Sequence, residues 1–167
     1  RAHLMIEIWR RLETDPQLTG WFFTFVGDSS EVQRLKKKAF EEYHLQRIRF
    51  EGRQKPDCYY ECASILLMTS GFEGWPMVLM EAMPMGVVPI AFNSFESLQD
   101  IISHKENGII IPNNDMDKYV AGLKWLMTHP GELRDMAVKA TKIVDKYSLD
   151  SIMEKYSNFF NSLVQGK

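Results

Sequence analysis

Along the chain, apolar residues switch between helical spacing and short continuous runs, and that switching predicts an order of elements. Residues 1–13, RAHLMIEIWRRLE, place Leu4, Ile8, Trp9 and Leu12 on one helix face. Pro16 and Gly20 break this helix. The run WFFTFVG (21–27) then reads as a strand that is apolar on both faces. Residues 29–45 return to helical spacing, with a serine cap and Val32, Leu35, Ala39 and Tyr43 turned inward. The alternation continues with strands at 47–52, 64–70, 87–92 and 108–112 and helices at 56–63, 94–104, 115–129, 131–148 and 151–164. Between the strands at 64–70 and 87–92 lies GFEGWPMVLMEAMPMG (71–86), read as a loop followed by a helix.

Five strands alternating with helices predict an α/β fold: a Rossmann-like, doubly wound parallel sheet with helices on both faces. No long linker, internal repeat or low-complexity segment divides the sequence, so residues 1–167 read as a single domain. Sheets of this kind bind ligands beyond the carboxyl ends of their strands. The strand 64–70 ends directly before Gly71, which places the stretch 71–86 where a ligand would sit.

Composition narrows the partners. Of 167 residues, 45% are hydrophobic and 25% charged, the profile of a folded domain with a real core. A formal charge of −2 argues against a basic face for nucleic acid. Lys36, Lys37 and Lys38 stand among Glu31, Glu41 and Glu42, so that run reads as a solvated helix face rather than a phosphate patch. No apolar run approaches the roughly 20 residues that cross a bilayer, so any membrane contact is expected to be peripheral. Cys58 and Cys62 are spaced like half a metal site, but no second Cys/His pair completes it. They read as two reduced thiols on a helix face or in the core, which fits a cytoplasmic compartment.

The stretch 71–86 carries two carboxylates, Glu73 and Glu81, in otherwise apolar and glycine-rich surroundings. Pro76 suits a first helical position and Gly86 a left-handed cap, giving a helix over 76–85. Free amides at its start would favour an anion, and Gly71 and Gly74 would let backbone approach it. Glu81 sits among Met77, Val78, Leu79, Met80, Ala82 and Met83, so a buried helix carrying a buried carboxylate is expected. Such a group needs strong donors. Sugar or ribose hydroxyls would serve, and so would an Arg or Lys of the same domain, with Glu73 then a plain loop residue. Met77, Met80, Met83 and Met85 read as core packing.

The segment EGWPMVLMEAMPMGVVPIAF resembles the signature of retaining, two-Rossmann-domain (GT-B) glycosyltransferases of group 1, family 4, usually E-G-F-P-x-x-x-x-E-A-M-x-x-G-x-P-V-I-A. FTFVGDSSE, IRFEGRQKPDCYYECASILLMTS and SLQDIISHKENGIII resemble further motifs of that family, in order, so the likeness covers nearly the whole chain. It is a likeness to the C-terminal, donor-binding half. The resemblance implies that Glu81 holds the ribose of a nucleotide sugar and that Glu73, as the catalytic residue, contacts hydroxyls of the transferred sugar. It implies that amides around Gly74, Trp75, Pro76 and Met77 meet the sugar or diphosphate. Gly27 and Asp28 would line the cleft, and Arg53 would lie near the base.

The sequence departs from the family's pattern in three places. The family's domain opens with a central strand and a basic loop that neutralises the diphosphate. This sequence begins near the end of that loop, with Arg1 as its remnant, so that strand, those basic residues and the acceptor-binding N-terminal domain are expected upstream. Trp75 replaces the usual Phe, and NSFES (93–97) stands in place of a Gly-rich turn. The resemblance implies hexose transfer from a nucleoside diphosphate sugar to a glycan or lipid-linked acceptor, with retention, in polysaccharide or lipopolysaccharide synthesis. No metal or other cofactor is implied, and the location is cytoplasmic or at the inner membrane face. Alternatives are a nucleotide-sugar epimerase of the same architecture and a non-catalytic nucleotide-binding or scaffolding domain.

Overall fold

The computed structural model describes residues 1–165. Helix α1 (Ala2–Leu12) buries Ile6, Ile8, Trp9 and Leu12. Strand β1 (Phe23–Val26) follows, then α2 (Ser30–Lys37), capped by the Ser29 hydroxyl, which accepts from the Val32 amide at 3.2 Å. The chain continues through β2 (Ile48–Gly52), α3 (Asp57–Cys62), β3 (Ile65–Met68) and α4 (Met77–Ala82). Then come β4 (Val88–Asn93), α5 (Leu98–Ile101), β5 (Ile109–Pro112), α6 (Met116–Thr128), α7 (Pro130–Thr141), α8 (Ile143–Tyr147) and α9 (Leu149–Gln165). All five expected strands form, and every strand pair is parallel, with helices packed against them.

The ladders are β1–β2 and β3–β4–β5, so the parallel sheet is divided, and β1 and β3 each have one hydrogen-bonded neighbour. That division explains why β1 is only half-buried although it reads as a two-sided apolar run. Strand β4, paired on both sides, is buried from Val88 to Phe92. The main core unites Ile8, Trp9, Ile48, Ile90, Ile111 and Leu123, so residues from both ladders share one interior. The buried Tyr119 hydroxyl of α6 donates to the Ile90 carbonyl at 2.6 Å and accepts from the Met68 amide at 3.0 Å. One helix is thereby tied to the β3–β4 seam.

Several boundaries differ from the expected ones, each for a local reason. The helix expected over 94–104 is one turn, α5, because Asn107 takes over the next backbone groups. Its side chain accepts from the Ser103 amide at 2.7 Å and donates to the Ile101 carbonyl at 3.1 Å. The helix expected over 131–148 breaks at Lys142, and the break lets Ile143 join the second apolar cluster with Leu98 and Ile101. The end of α2 widens into a π-turn (Lys38–Glu42), in which the Tyr43 amide reaches back to the Lys38 carbonyl at 3.0 Å. Lys36 and Lys37 are solvated as expected, and Lys38 lies over the Tyr43 ring.

Candidate functional site

The loops after β1 and β2 are joined by a hydrogen bond from the Gly27 amide to the Gly52 carbonyl at 2.7 Å. Both glycines have positive φ (135° and 69°), so the two strands end in turns that suit glycine. A Cβ on Gly27 would meet nothing within 4 Å, which leaves open space beside that loop. Asp28 is exposed and its carboxylate accepts from Gln33 Nε2 at 2.7 Å. Arg53 is exposed directly after β2.

The loops after β3, β4 and β5 form a second group. Arg1 spans the first and last of them: its guanidinium donates to the carbonyls of Thr69 and Ser70, each at 2.6 Å, and to the side-chain oxygen of Asn114 at 2.7 Å. The Ser94 hydroxyl also donates to the Ser70 carbonyl, at 2.6 Å. The start of the 71–86 stretch is therefore pinned by a planar cation and a hydroxyl from two other segments. Arg1, the expected remnant of a basic loop, spends its donors on protein carbonyls and asparagines here.

Glu73 is half-buried in the loop before α4, and among the described residues its side chain has no hydrogen bond or ion pair. Gly74 is exposed, and a Cβ there would meet nothing within 4 Å. Trp75 packs edge-on against Tyr147 of α8, ring centroids 5.0 Å apart at 71°. Pro76 is buried and serves as the N-cap of α4 rather than its first residue; its extended backbone (φ −78°, ψ 91°) accepts from the Leu79 amide at 3.0 Å. The helix starts at Met77. It tightens to a 3₁₀ turn over Met83–Met85, because Pro84 has no amide to donate, and ends at Gly86 in the expected left-handed conformation (φ 79°).

Two expectations about α4 fail. Glu81 is exposed, not buried, and among the described residues it forms no ion pair with Arg or Lys. Its Oε2 instead accepts from the Tyr60 hydroxyl of α3 at 3.3 Å. The helix is only six residues long and has one buried side, Leu79 and Ala82, with Leu79 in the cluster that contains Met68 of β3 and Ala91 of β4. Met83 is buried and Met80 half-buried, but Met77 is 58% exposed and Met85 44%, so those two are not core. On the exposed side of α4 the carboxylate is solvated without needing a buried donor. Burial, and after it the Glu81 charge, pushes the Tyr60 phenol up to about 12, so it keeps its proton as a donor.

The expected site residues thus fall into two loop groups. Glu73, Gly74, Trp75, Pro76, Met77 and Glu81 form one continuous loop and helix, and Gly27, Asp28 and Arg53 end the other two strands. Helix α3, which begins soon after Arg53, links the groups through Tyr60. Tyr60 and Ser94 were not singled out by sequence reasoning, since their partners lie 21 and 24 residues away. Cys58 and Cys62 are both exposed on α3. Among the described residues, no cluster of three or more His, Cys, Asp or Glu could hold a metal ion, and no helix is long and apolar enough to cross a membrane.

The chain resembles known proteins over nearly all of its length. The family model for glycosyl transferases group 1 matches residues 1–144. An uncharacterized glycosyltransferase of Haemophilus influenzae is 29% identical over 91% of this chain and 43% of its own length. The amylovoran biosynthesis glycosyltransferase AmsD of Erwinia amylovora is 27% identical over 94% of this chain and 43% of its own. A mutant of S. aureus TarM, crystallised with fondaparinux, α-GlcNAc-glycerol and UDP, superposes with a TM-score of 0.85 at 26% identity, over 97% of this chain and 33% of that one. The chain therefore spans less than half the length of each of these relatives. Its parallel Rossmann-like architecture is that of GT-B C-terminal domains. The chain belongs to the group 1 glycosyltransferases.

Proposed function

We propose that this chain is the donor-binding domain of a retaining, family 4 enzyme that moves a hexose from a nucleoside diphosphate sugar to a glycan or lipid-linked acceptor. The observation that carries the reading is Glu73: a half-buried carboxylate in the loop after β3, with no partner of its own among the described residues. Carboxylates held away from water need donors, and the hydroxyls of a transferred sugar supply them. Glu73 orients the sugar rather than acting as a base. Glu81, on the next helix, receives the ribose hydroxyls with acceptor sites that the Tyr60 contact leaves free.

The backbone amides of Gly74, Trp75 and Met77 meet the sugar or diphosphate, with Pro76, which has no N–H, fixing the loop between them; with basic side chains of the rest of the enzyme they stabilise the charge that develops on the leaving diphosphate without a metal. Gly27 leaves room at the cleft wall, Asp28 is held there by Gln33, and Arg53 lies by the base. Trp75 serves as packing behind the loop, with its backbone toward the donor. The upstream strand, the basic loop and an acceptor-binding domain complete the enzyme, which works in polysaccharide or lipopolysaccharide assembly in the cytoplasm or at the inner membrane face. The 27% identical amylovoran glycosyltransferase and the UDP held by TarM support both the pathway class and the donor class. The 167 residues alone bind nucleotide weakly and transfer nothing.

The test is donor consumption. Full-length protein is incubated with UDP-, GDP- and ADP-hexoses, with water as the acceptor of the hexose in the absence of a glycan, and the released nucleoside diphosphate is measured by chromatography. One donor class is consumed, and Glu73→Ala slows its consumption at least about tenfold, the loss of roughly one charge-assisted hydrogen bond. Consumption of a donor at the wild-type rate by Glu73→Ala would remove Glu73 from the site.

A further inference from the structure

We propose that Tyr60 is a positioning residue for Glu81: from α3 its phenol orients the carboxylate that receives the ribose diol, and so sets the preference for ribose over deoxyribose nucleotides. This rests on the reading of Glu81 as the ribose contact. Three observations lead to it. The Tyr60 hydroxyl donates to Glu81 Oε2 at 3.3 Å, long for such a bond, so it tethers the carboxylate and leaves it room to settle on a ligand. Tyr60 is half-buried, and α3 is turned tightly beneath it by the amides of Tyr59 and Tyr60, which donate to the Pro56 carbonyl at 2.9 and 3.0 Å. Glu81 is exposed and has no ion pair among the described residues, so the phenol is its one hydrogen-bonding side-chain neighbour there.

A contact this exposed adds little to fold stability, so its consequence is geometric. A free glutamate on a helix surface samples several rotamers, and each must be surrendered when a ligand binds. A donor on Oε2 removes part of that cost beforehand. It occupies one of about four lone-pair sites and leaves the others for a vicinal diol. The phenol stays protonated through the physiological range, so the tether does not switch with pH. A lysine in the same place would neutralise Glu81 and compete with the hydroxyls more strongly; a neutral donor orients without doing so.

The experiment is calorimetric titration of the full-length protein with UDP, GDP and ADP and with their 2′-deoxy counterparts. Wild type binds one ribonucleotide more tightly than its deoxy form. Tyr60→Phe keeps the ring and the melting temperature but lowers that ribose preference about three- to tenfold, as expected for the loss of one long, solvent-exposed hydrogen bond. Glu81→Gln lowers it as well, and the double variant is no worse than Glu81→Gln alone, because the two act as one unit. An unchanged preference in Tyr60→Phe, with a loss in Glu81→Gln, overturns the positioning role and leaves the ribose contact standing. An unchanged preference in both variants, or no binding by any of the six nucleotides, overturns the ribose contact and the positioning role with it.

Discussion

The Ser94 hydroxyl donates to the Ser70 carbonyl at 2.6 Å, joining the turn after β4 to the residue just before the 71–86 stretch. The resemblance leads one to expect a Gly-rich turn at 93–97. Here that turn supplies a hydroxyl that holds the neighbouring loop instead. Arg1 donates to the same carbonyl, so the oxygen is not orphaned if Ser94 is lost.

Ser94→Ala should therefore cost a modest amount, about 1 kcal/mol by urea denaturation, the net value of one hydrogen bond. Donor binding should weaken along with it, because Ser70 lies in the loop that carries Glu73. Unchanged donor affinity would mean that Arg1 alone is enough to set the loop.

Gly108 opens β5 from beneath β4. A Cβ there would meet the Pro89 carbonyl oxygen and Pro89 Cγ at 2.8 Å and Ile102 Cγ2 at 3.0 Å. Strand β4 is central in its ladder and buried, so its backbone cannot give way. Gly108→Ala is expected to destabilise by about 3 kcal/mol, the upper range for overpacking. A melting temperature equal to wild type would contradict this packing.

The Arg10 guanidinium, through a hydrogen bond at 2.6 Å, holds the Glu7 carboxyl below the usual glutamate range; burial opposes this, and Arg11 adds to it. A carboxylate whose folded pKa is depressed contributes stability that is present above its unfolded pKa and is lost as pH falls through the folded one. The contribution should begin to fade as pH falls through the ordinary glutamate range, about pH 4, and be gone once Glu7 is protonated in the folded state. Glu7→Gln should flatten the stability curve in that window, by about 0.5 kcal/mol for a partly solvated pair, and leave stability near pH 2 the same as wild type. Urea titrations across pH 2–6 read this directly.

Much of the fold was legible because its strands are short apolar runs between glycines and prolines. The run VVPIAF could only be a buried strand, and β4 is one. Less legible were features set by groups distant in sequence. Nothing near residue 101 says that Asn107 will claim the Ile101 carbonyl and end α5. Glu73 and Glu81 were legible as a pair through their spacing and flanking glycines. An all-apolar stretch predicts a buried helix and with it a buried Glu81, whereas α4 is only six residues long and turns Met77 and Val78 outward. Its partner Tyr60 comes from the helix before β3, and only folding brings the two together.

Binding of a nucleotide sugar by the 71–86 stretch is read by a thermal-shift titration of the full-length protein. UDP-, GDP- and ADP-sugars are titrated against wild type, Glu73→Ala and Glu81→Gln. One nucleotide class should raise the wild-type melting temperature, since a ligand at a hundred times its Kd adds roughly 2.7 kcal/mol. Each variant should need a higher concentration of the same sugar for the same rise. A full shift in both variants at wild-type concentrations, or no shift in wild type with any of the three classes, would contradict the account.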